Sequence, residues 1–209
     1  PASLQDLVRK RVSGLPVDDQ AVLELVAVLG EEGDFQVLSR AARGEPAELT
    51  RRLRRIEEAG FLTETNTGYT YQHDVIRDVV YQAIPAYRRK VLHCRVGTVL
   101  EDLWPDNIGA LAYHFERGEV WAKAVRLCRR AGQRARAVYA GAQSIDYYDR
   151  ALSAWRRLDE DDRHLGLCLY RERGRIHQDL GQFSDAEADF RMAEGLARLV
   201  GEKKSLARI

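Results

Sequence analysis

The sequence predicts an all-α protein with one short β-hairpin, built in two parts, and three observations lead there. Amphipathic helical segments fill the chain almost from end to end. A single stretch, "FLTETNTGYTYQH" at 61–73, breaks the helical period, with β-branched and aromatic residues on both sides of Asn66-Thr67-Gly68. From about residue 107 the helices come as hairpins, and part of that region repeats.

The elements follow from local signals. Ser3 suits the N-cap of a helix carrying Leu4, Leu7, Val8 and Val12 that closes near Gly14. Asp18 or Asp19 opens a second helix, "QAVLELVAVLG", whose nearly unbroken apolar run implies burial on most faces. Asp34 caps a third, with Phe35, Val37, Leu38 and Ala41 turned inward. Pro46, at a favoured first helical position, starts a fourth through "AELTRRLRRIEEAG", and Gly60 stops it. Strands at 61–65 and 69–73 follow, then a helix over 74–84 ended by Pro85 and a longer one over 86–103. Helices followed by a two-stranded wing are the order of a winged helix-turn-helix. This places a winged-helix domain with its linker helices at 1–104 and helical repeats at 105–209.

The repeat is visible without gaps. "GQRARAVYAGAQSIDYYDRAL" from Gly132 and "GRIHQDLGQFSDAEADFRMAE" from Gly174 lie 42 residues apart. Small residues recur at Gly132/Gly174, Ser144/Ala186 and Ala151/Ala193, and an aromatic at Tyr148/Phe190. Small side chains let two helices approach closely while the aromatic fills the space between them. A weaker earlier copy reads Ala112, Ala124, Cys128 and Ala131, and the last copy adds Gly181 and Phe183 at its turn. The pattern resembles a tetratricopeptide repeat, which implies a tetratricopeptide-like α-superhelix.

Composition narrows the function. Net charge is +1, with 45% hydrophobic and 31% charged residues, so the surface as a whole suits neither nucleic acid nor membrane. No apolar run approaches the roughly 20 residues of a membrane helix. Three scattered cysteines, Cys94, Cys128 and Cys168, fit a reducing cytoplasm and buried thiols better than a disulfide framework. The start "PASLQDLVRKRV" has neither an initiator Met nor a signal-peptide core, so the chain reads as a piece of a longer protein.

Enzymatic readings find no support. There is no GxxxxGK[ST] loop, and the five histidines share no metal-ligand spacing. His164 and Cys168 stand at i, i+4 without a third group, which reads as a surface imidazole beside a core-facing thiol. The chain is therefore expected to carry no catalytic site, metal or cofactor of its own.

Two places invite a binding role. In "TRRLRRIEEAG", Thr50, Arg51, Arg52, Arg54 and Arg55 would meet phosphates and base edges if the helix read DNA. The same residues also fit a solvated face around the core stripe Leu49, Leu53 and Ile56, with Glu57 and Glu58 as helical ion partners. The wing, with Glu64 and no basic residue, is a poor groove partner. In "YTYQHDVIRDVVYQAI", Asp74 suits the N-cap of the helix carrying Val75, Ile76, Val79 and Val80. His73 precedes it, where helical N–H groups and dipole favour an anion.

"QHDVIRDVVYQAI" resembles the Met-His-Asp segment of the winged-helix domain in STAND-type signalling ATPases, the NB-ARC-like group, with Gln72 in place of the Met. "SLQDLVRKRVSGLP", "LELVAVLG", "AYRRKVLHCRVGTVLEDL" and "LAYHFERGEVWAKAVRLCRRAG" resemble the region joining winged helix to repeats in large bacterial regulators of that kind. The resemblance implies that His73 contacts the β-phosphate of ADP held by an upstream nucleotide-binding module, locking a closed, autoinhibited state. Asp74 would brace the following helix, and the repeats would bind a protein or small-molecule signal. ATP or ADP would then belong to the parent protein, whose P-loop module this sequence lacks. The competing expectation is a DNA-binding transcriptional regulator with the repeats as its sensor.

Overall fold

The structure is a computed structural model that describes residues 4–30, 33–158 and 162–201. The chain forms two compact units, Pro1–Pro105 and Asp106–Ile209.

The first unit contains α1 (Leu4–Ser13), α2 (Val17–Leu29), β1 (Gly33–Asp34), α3 (Phe35–Ala42), α4 (Pro46–Glu58), β2 (Leu62–Glu64), β3 (Gly68–Tyr71), α5 (Asp74–Ala83) and α6 (Ala86–Leu103). The order α2-β1-α3-α4-β2-β3 makes a winged helix-turn-helix whose small antiparallel sheet runs β1-β3-β2. The wing is therefore part of a three-stranded sheet, where the sequence predicts a two-stranded hairpin. Gly33 and Asp34 pair with Tyr69 and Gly68, and Leu62, Thr63 and Glu64 pair with Tyr71, Thr70 and Tyr69. Leu23, Val26, Val37, Leu38, Leu53, Ile56 and Leu62 form a core with no solvent exposure. At the turn, the Thr65 Oγ1 accepts from the Gly68 amide at 3.1 Å.

The caps divide into expected and unexpected. Asp34 accepts from the amides of Gln36 and Val37 at 2.8 and 3.2 Å, and Pro46 begins α4, as the sequence predicts. The cap of α1 expected at Ser3 lies outside the described residues. Pro16, not an aspartate, stands at the cap of α2, so Asp18 and Asp19 fall inside its first turn. Asp19 is fully buried there and grips Arg55 of α4 through two hydrogen bonds of 2.9 and 2.7 Å. A carboxylate loses its hydration on burial, and only a close, bidentate cation offsets that loss.

The second unit is a tetratricopeptide-like stack of antiparallel helices: α7 (Ile108–Arg117), α8 (Trp121–Ala137), α9 (Gly141–Trp155), α10 (Arg163–Asp179) and α11 (Phe183–Val200). Each helix packs on the next. The repeat positions play equivalent parts. A methyl group at Gly132 would lie 2.8 Å from the Tyr148 ring, and one at Gly174 would lie 2.8 Å from the Phe190 ring. Ala151 and Ala193 are fully buried beside those contacts. The buried Ser144 hydroxyl donates to the Gly132 carbonyl at 2.7 Å, bonding α9 to α8. The hairpin turns share a left-handed residue, Glu119, Tyr139 and Gly181, the last two separated by the same 42 residues as the repeats.

His114 of α7 is buried, and loss of hydration lowers its pKa to about 4 from 6.5. Its folded pKa lies below the unfolded value, so the stabilisation is present above pH 6.5 and disappears as pH falls toward 4. The difference corresponds to roughly 3–4 kcal/mol by linkage. Urea unfolding of the protein is expected to weaken across that window, and His114→Gln, which cannot take up the proton, should flatten the dependence. An unchanged slope in the variant would assign the acid loss to other groups.

Candidate functional site

The junction around His73 is held by a strand that cannot slide. Tyr71, at the end of β3, donates its hydroxyl to the Leu23 carbonyl at 2.7 Å, and burial raises its pKa well above the ordinary tyrosine value. The Gln72 amide donates to Phe61 O at 3.1 Å, one step beyond the last strand pair. His73 then continues as extended backbone, with φ −144° and ψ 135°, while its carbonyl accepts from the Ile76 and Arg77 amides at 2.9 and 3.4 Å. Ile76, Val79 and Val80 bury the inner face of α5, which packs on α1 and α2.

His73 is therefore the N-cap residue, and Asp74 is the first residue of α5, a correction to the cap expected of Asp74. No side chain bonds the cap; the Asp74 carboxylate stands 3.6 Å from Arg77, with Asp78 on the same guanidinium at 3.4 Å. The physical reason is where the extended backbone ends. Bonding of Gln72 to Phe61 fixes the turn into α5 at His73, leaving Asp74 one position late to cap. Asp74 still suits the first helical turn, whose dipole favours a negative charge. The imidazole is solvent-facing at a helix N-terminus, positioned by strand and core rather than by contacts of its own. Such a group can donate to an anionic oxygen brought from outside.

The arginine helix is arranged differently. Arg52 bonds Glu48 at 3.1 Å and Asp18 at 3.1 Å, Arg51 approaches Glu48 at 2.5 Å, and Arg55 is held by Asp19. The Arg52 hydrogen bond is the largest cause that lowers the Glu48 pKa, and the Asp19 hydrogen bond raises that of Arg55. Thr50 donates to the Pro46 carbonyl at 2.9 Å within its own helix. The ion partners are thus Glu48 and the two aspartates of α2; Glu57, expected to serve the arginines, accepts from the Glu64 amide at 3.0 Å. Arg51, Arg52 and Arg55 are held by carboxylates of their own domain and offer little unbalanced charge to a phosphate backbone, whereas Arg54 is exposed and has no ion pair among the described residues. Among the described residues no hydrogen bond or ion pair joins His73 to Thr50 or to these arginines.

The repeat unit holds residues that sequence reasoning passed over. Arg129 makes two hydrogen bonds to Glu172, which also accepts from Tyr148 at 2.9 Å, and Arg136 bonds Asp179 at 2.8 Å. These pairs bridge α8 to α10. Burial opposes the Glu172 charge, but its Arg129 and Tyr148 hydrogen bonds outweigh burial and lower its pKa. Their signature was present in the sequence: two arginines seven residues apart, matched 43 residues later by two carboxylates at the same spacing. Elsewhere Cys168 Sγ lies 3.8 Å from His164 Nδ1, and burial raises the Cys128 thiol to about 12. No group of three metal-ligating side chains occurs among the described residues, and no described helix is long and apolar enough to cross a membrane.

Comparisons with known proteins agree with this architecture. No protein-family model matches the chain. The chain is similar to Uncharacterized protein R02095 of Rhizobium meliloti (strain 1021), with 32% identity over 121 residues, 54% of this chain and 12% of that protein. Its fold matches a solved Signal Transduction ATPase with Numerous Domains, a STAND protein with a tetratricopeptide repeat sensor, PH0952 from Pyrococcus horikoshii. That match has a TM-score of 0.50 at 11% identity and covers 97% of this chain and 35% of the other. The chain thus has the fold of part of a STAND protein, and it spans a minor share of either relative's length.

Proposed function

We propose that this chain is the regulatory part of a STAND signal-transduction ATPase. A winged-helix domain at 1–104 would stabilise the ADP-bound, autoinhibited state of an upstream nucleotide-binding module, and repeats at 105–209 would receive a protein or small-molecule signal. The observation that carries this is the exposed His73 imidazole at the N-cap of α5, on a junction fixed by Tyr71 and Gln72. The fold likeness to a STAND protein supports it, as does the anion preference of a helix N-terminus. Asp74 acts as a brace through Arg77. A signal that binds the open state more tightly would shift the population by that difference in affinity.

The test uses the full-length protein. A hydrogen bond from His73 to a charged phosphate contributes roughly 1.5 kcal/mol or more, so His73→Ala should speed ADP release about tenfold and raise basal signalling. ADP dissociation is read by stopped flow with a fluorescent ADP analogue. Unchanged release together with unchanged basal output would remove His73 from nucleotide sensing.

A further inference from the structure

A second surface of the first unit has neither His73 nor any other residue of α5 in its lining. A groove of about 480 Å³ runs between the C-terminal end of α3 and the outer face of α6. Three arginines line it, Arg40 and Arg43 from the α3 side and Arg95 from α6, and no carboxylate does. This contrasts with α4, where Glu48, Asp18 and Asp19 hold Arg51, Arg52 and Arg55. Among the described residues none of the three has a carboxylate partner; Arg95 donates only to the Ala41 carbonyl, at 3.3 Å. Burial lowers the Arg95 pKa, and the nearby Arg43 and Arg88 charges lower it further. Like charges crowded at one wall mark a place where an anion relieves repulsion.

The floor is apolar. Val91 is 49% exposed, and Val99 stands eight residues further along the same helix wall, with Cys94 between them. Two turns of α6 separate those valines, about 12 Å at the helical rise. The opposite face of α6 is filled by Leu92, Val96 and Leu100 against the core, so the outer valines are not needed there.

We propose that this groove docks an acidic amphipathic helical segment of a partner protein, two to three turns long. Its aliphatic side chains would cover Val91 and Val99, and its carboxylates would meet Arg40, Arg43 and Arg95. Charge complementarity selects this occupant: the arginines demand an anion, and the exposed Val91, with the half-buried Val99 further along the wall, demands apolar cover that a phosphate backbone does not supply. The surface is separate from the nucleotide-sensing role of His73 and stands or falls without it.

The probe is a fluorescein-labelled peptide with leucines at helical spacing and glutamates on the flanking positions, titrated into this protein by anisotropy. Saturable binding is expected. Replacing the peptide's glutamates by glutamine, or Arg40→Gln with Arg43→Asn in the protein, should weaken it about tenfold, since each variant removes two or more charge-assisted contacts. Both arginines are exposed on the structure, so these variants are expected to fold, which circular dichroism checks. Bound peptide should also slow alkylation of Cys94, measured in a Cys168→Ser background. Equal affinity for the glutamine peptide, no effect of the arginine changes, or binding of a random DNA duplex in preference to the peptide would each overturn the proposal.

Discussion

Gly68→Ala is expected to cost the winged-helix unit about 3 kcal/mol or more, the sum of an overpacking term and lost sheet hydrogen bonds. A methyl group at Gly68 would lie 2.0 Å from the Gly33 carbonyl oxygen and 2.8 Å from the Phe35 amide nitrogen. Both are backbone atoms, so no side-chain rotation relieves the contact. β1 must move off β3, and with it goes the bond from the Phe35 amide to the Thr67 carbonyl, 2.9 Å long. The Asp34 cap of α3 is next in line, because Asp34 is the β1 residue opposite Gly68. Amide hydrogen exchange reads this directly: protection of β1, β3 and the first turn of α3 should fall together. Gly44→Ala is the control, with no atom within 4 Å of the added methyl, and should be neutral or stabilise by up to about 1 kcal/mol. Retained β1 protection in Gly68→Ala would mean that the sheet yields elsewhere.

The same strand shows where reading the sequence stops. Period-two alternation needs several residues to register, and β1 has two, Gly33 and Asp34, whose ladder partners lie 34 or more residues away. Nothing local distinguishes it from a loop before a helix cap. The repeats are the opposite case. Their glycine-to-aromatic contacts, Gly132 with Tyr148 and Gly174 with Phe190, occur at one sequence spacing, so alignment alone exposes them. Helix starts at Asp34 and Pro46 and the breaks at Gly60 and Pro85 were legible because each rests on one residue's backbone chemistry.

Side-chain destinations were harder. Asp19 reads as one of two openers of α2, but it lies inside the first turn behind Pro16, and its burial there depends on Arg55, 36 residues on. The α4 arginines looked equivalent in sequence, yet contact with α2 sorts them. His73 was singled out because a helix cap accounts for Asp74 and not for the imidazole beside it. Its cap position was missed because the aspartate beside it is the better capping residue in isolation.

Arg173→Ala is expected to destabilise the repeat unit by roughly 3–5 kcal/mol, the range for stranding a buried charge. Asp189 is 3% exposed, and Arg173 reaches it with Nε at 2.8 Å and a second nitrogen at 2.5 Å, while also holding Asp149. Burial opposes the Arg173 charge, yet its bonds to Asp189 and Asp149 outweigh burial and raise its pKa. Without the guanidinium, the nearest remaining ring nitrogen to the Asp189 carboxylate is His177 Nε2, 3.9 Å away and beyond hydrogen-bond reach. The network joins α9, α10 and α11, so its loss loosens the hairpin beneath Phe190 as well as removing a bond. Trp121 and Trp155 both belong to this unit and report its unfolding in urea. The double variant Arg173→Met, Asp189→Leu separates the two ideas. If the stranded carboxylate is the cost, removing it with its partner should recover most of the stability, because a packed apolar pair can match a buried ion pair. If the double variant is no better than Arg173→Ala, the arginine's value lies in tying Asp149 to its neighbours, and the ion network fixes how the helices stack.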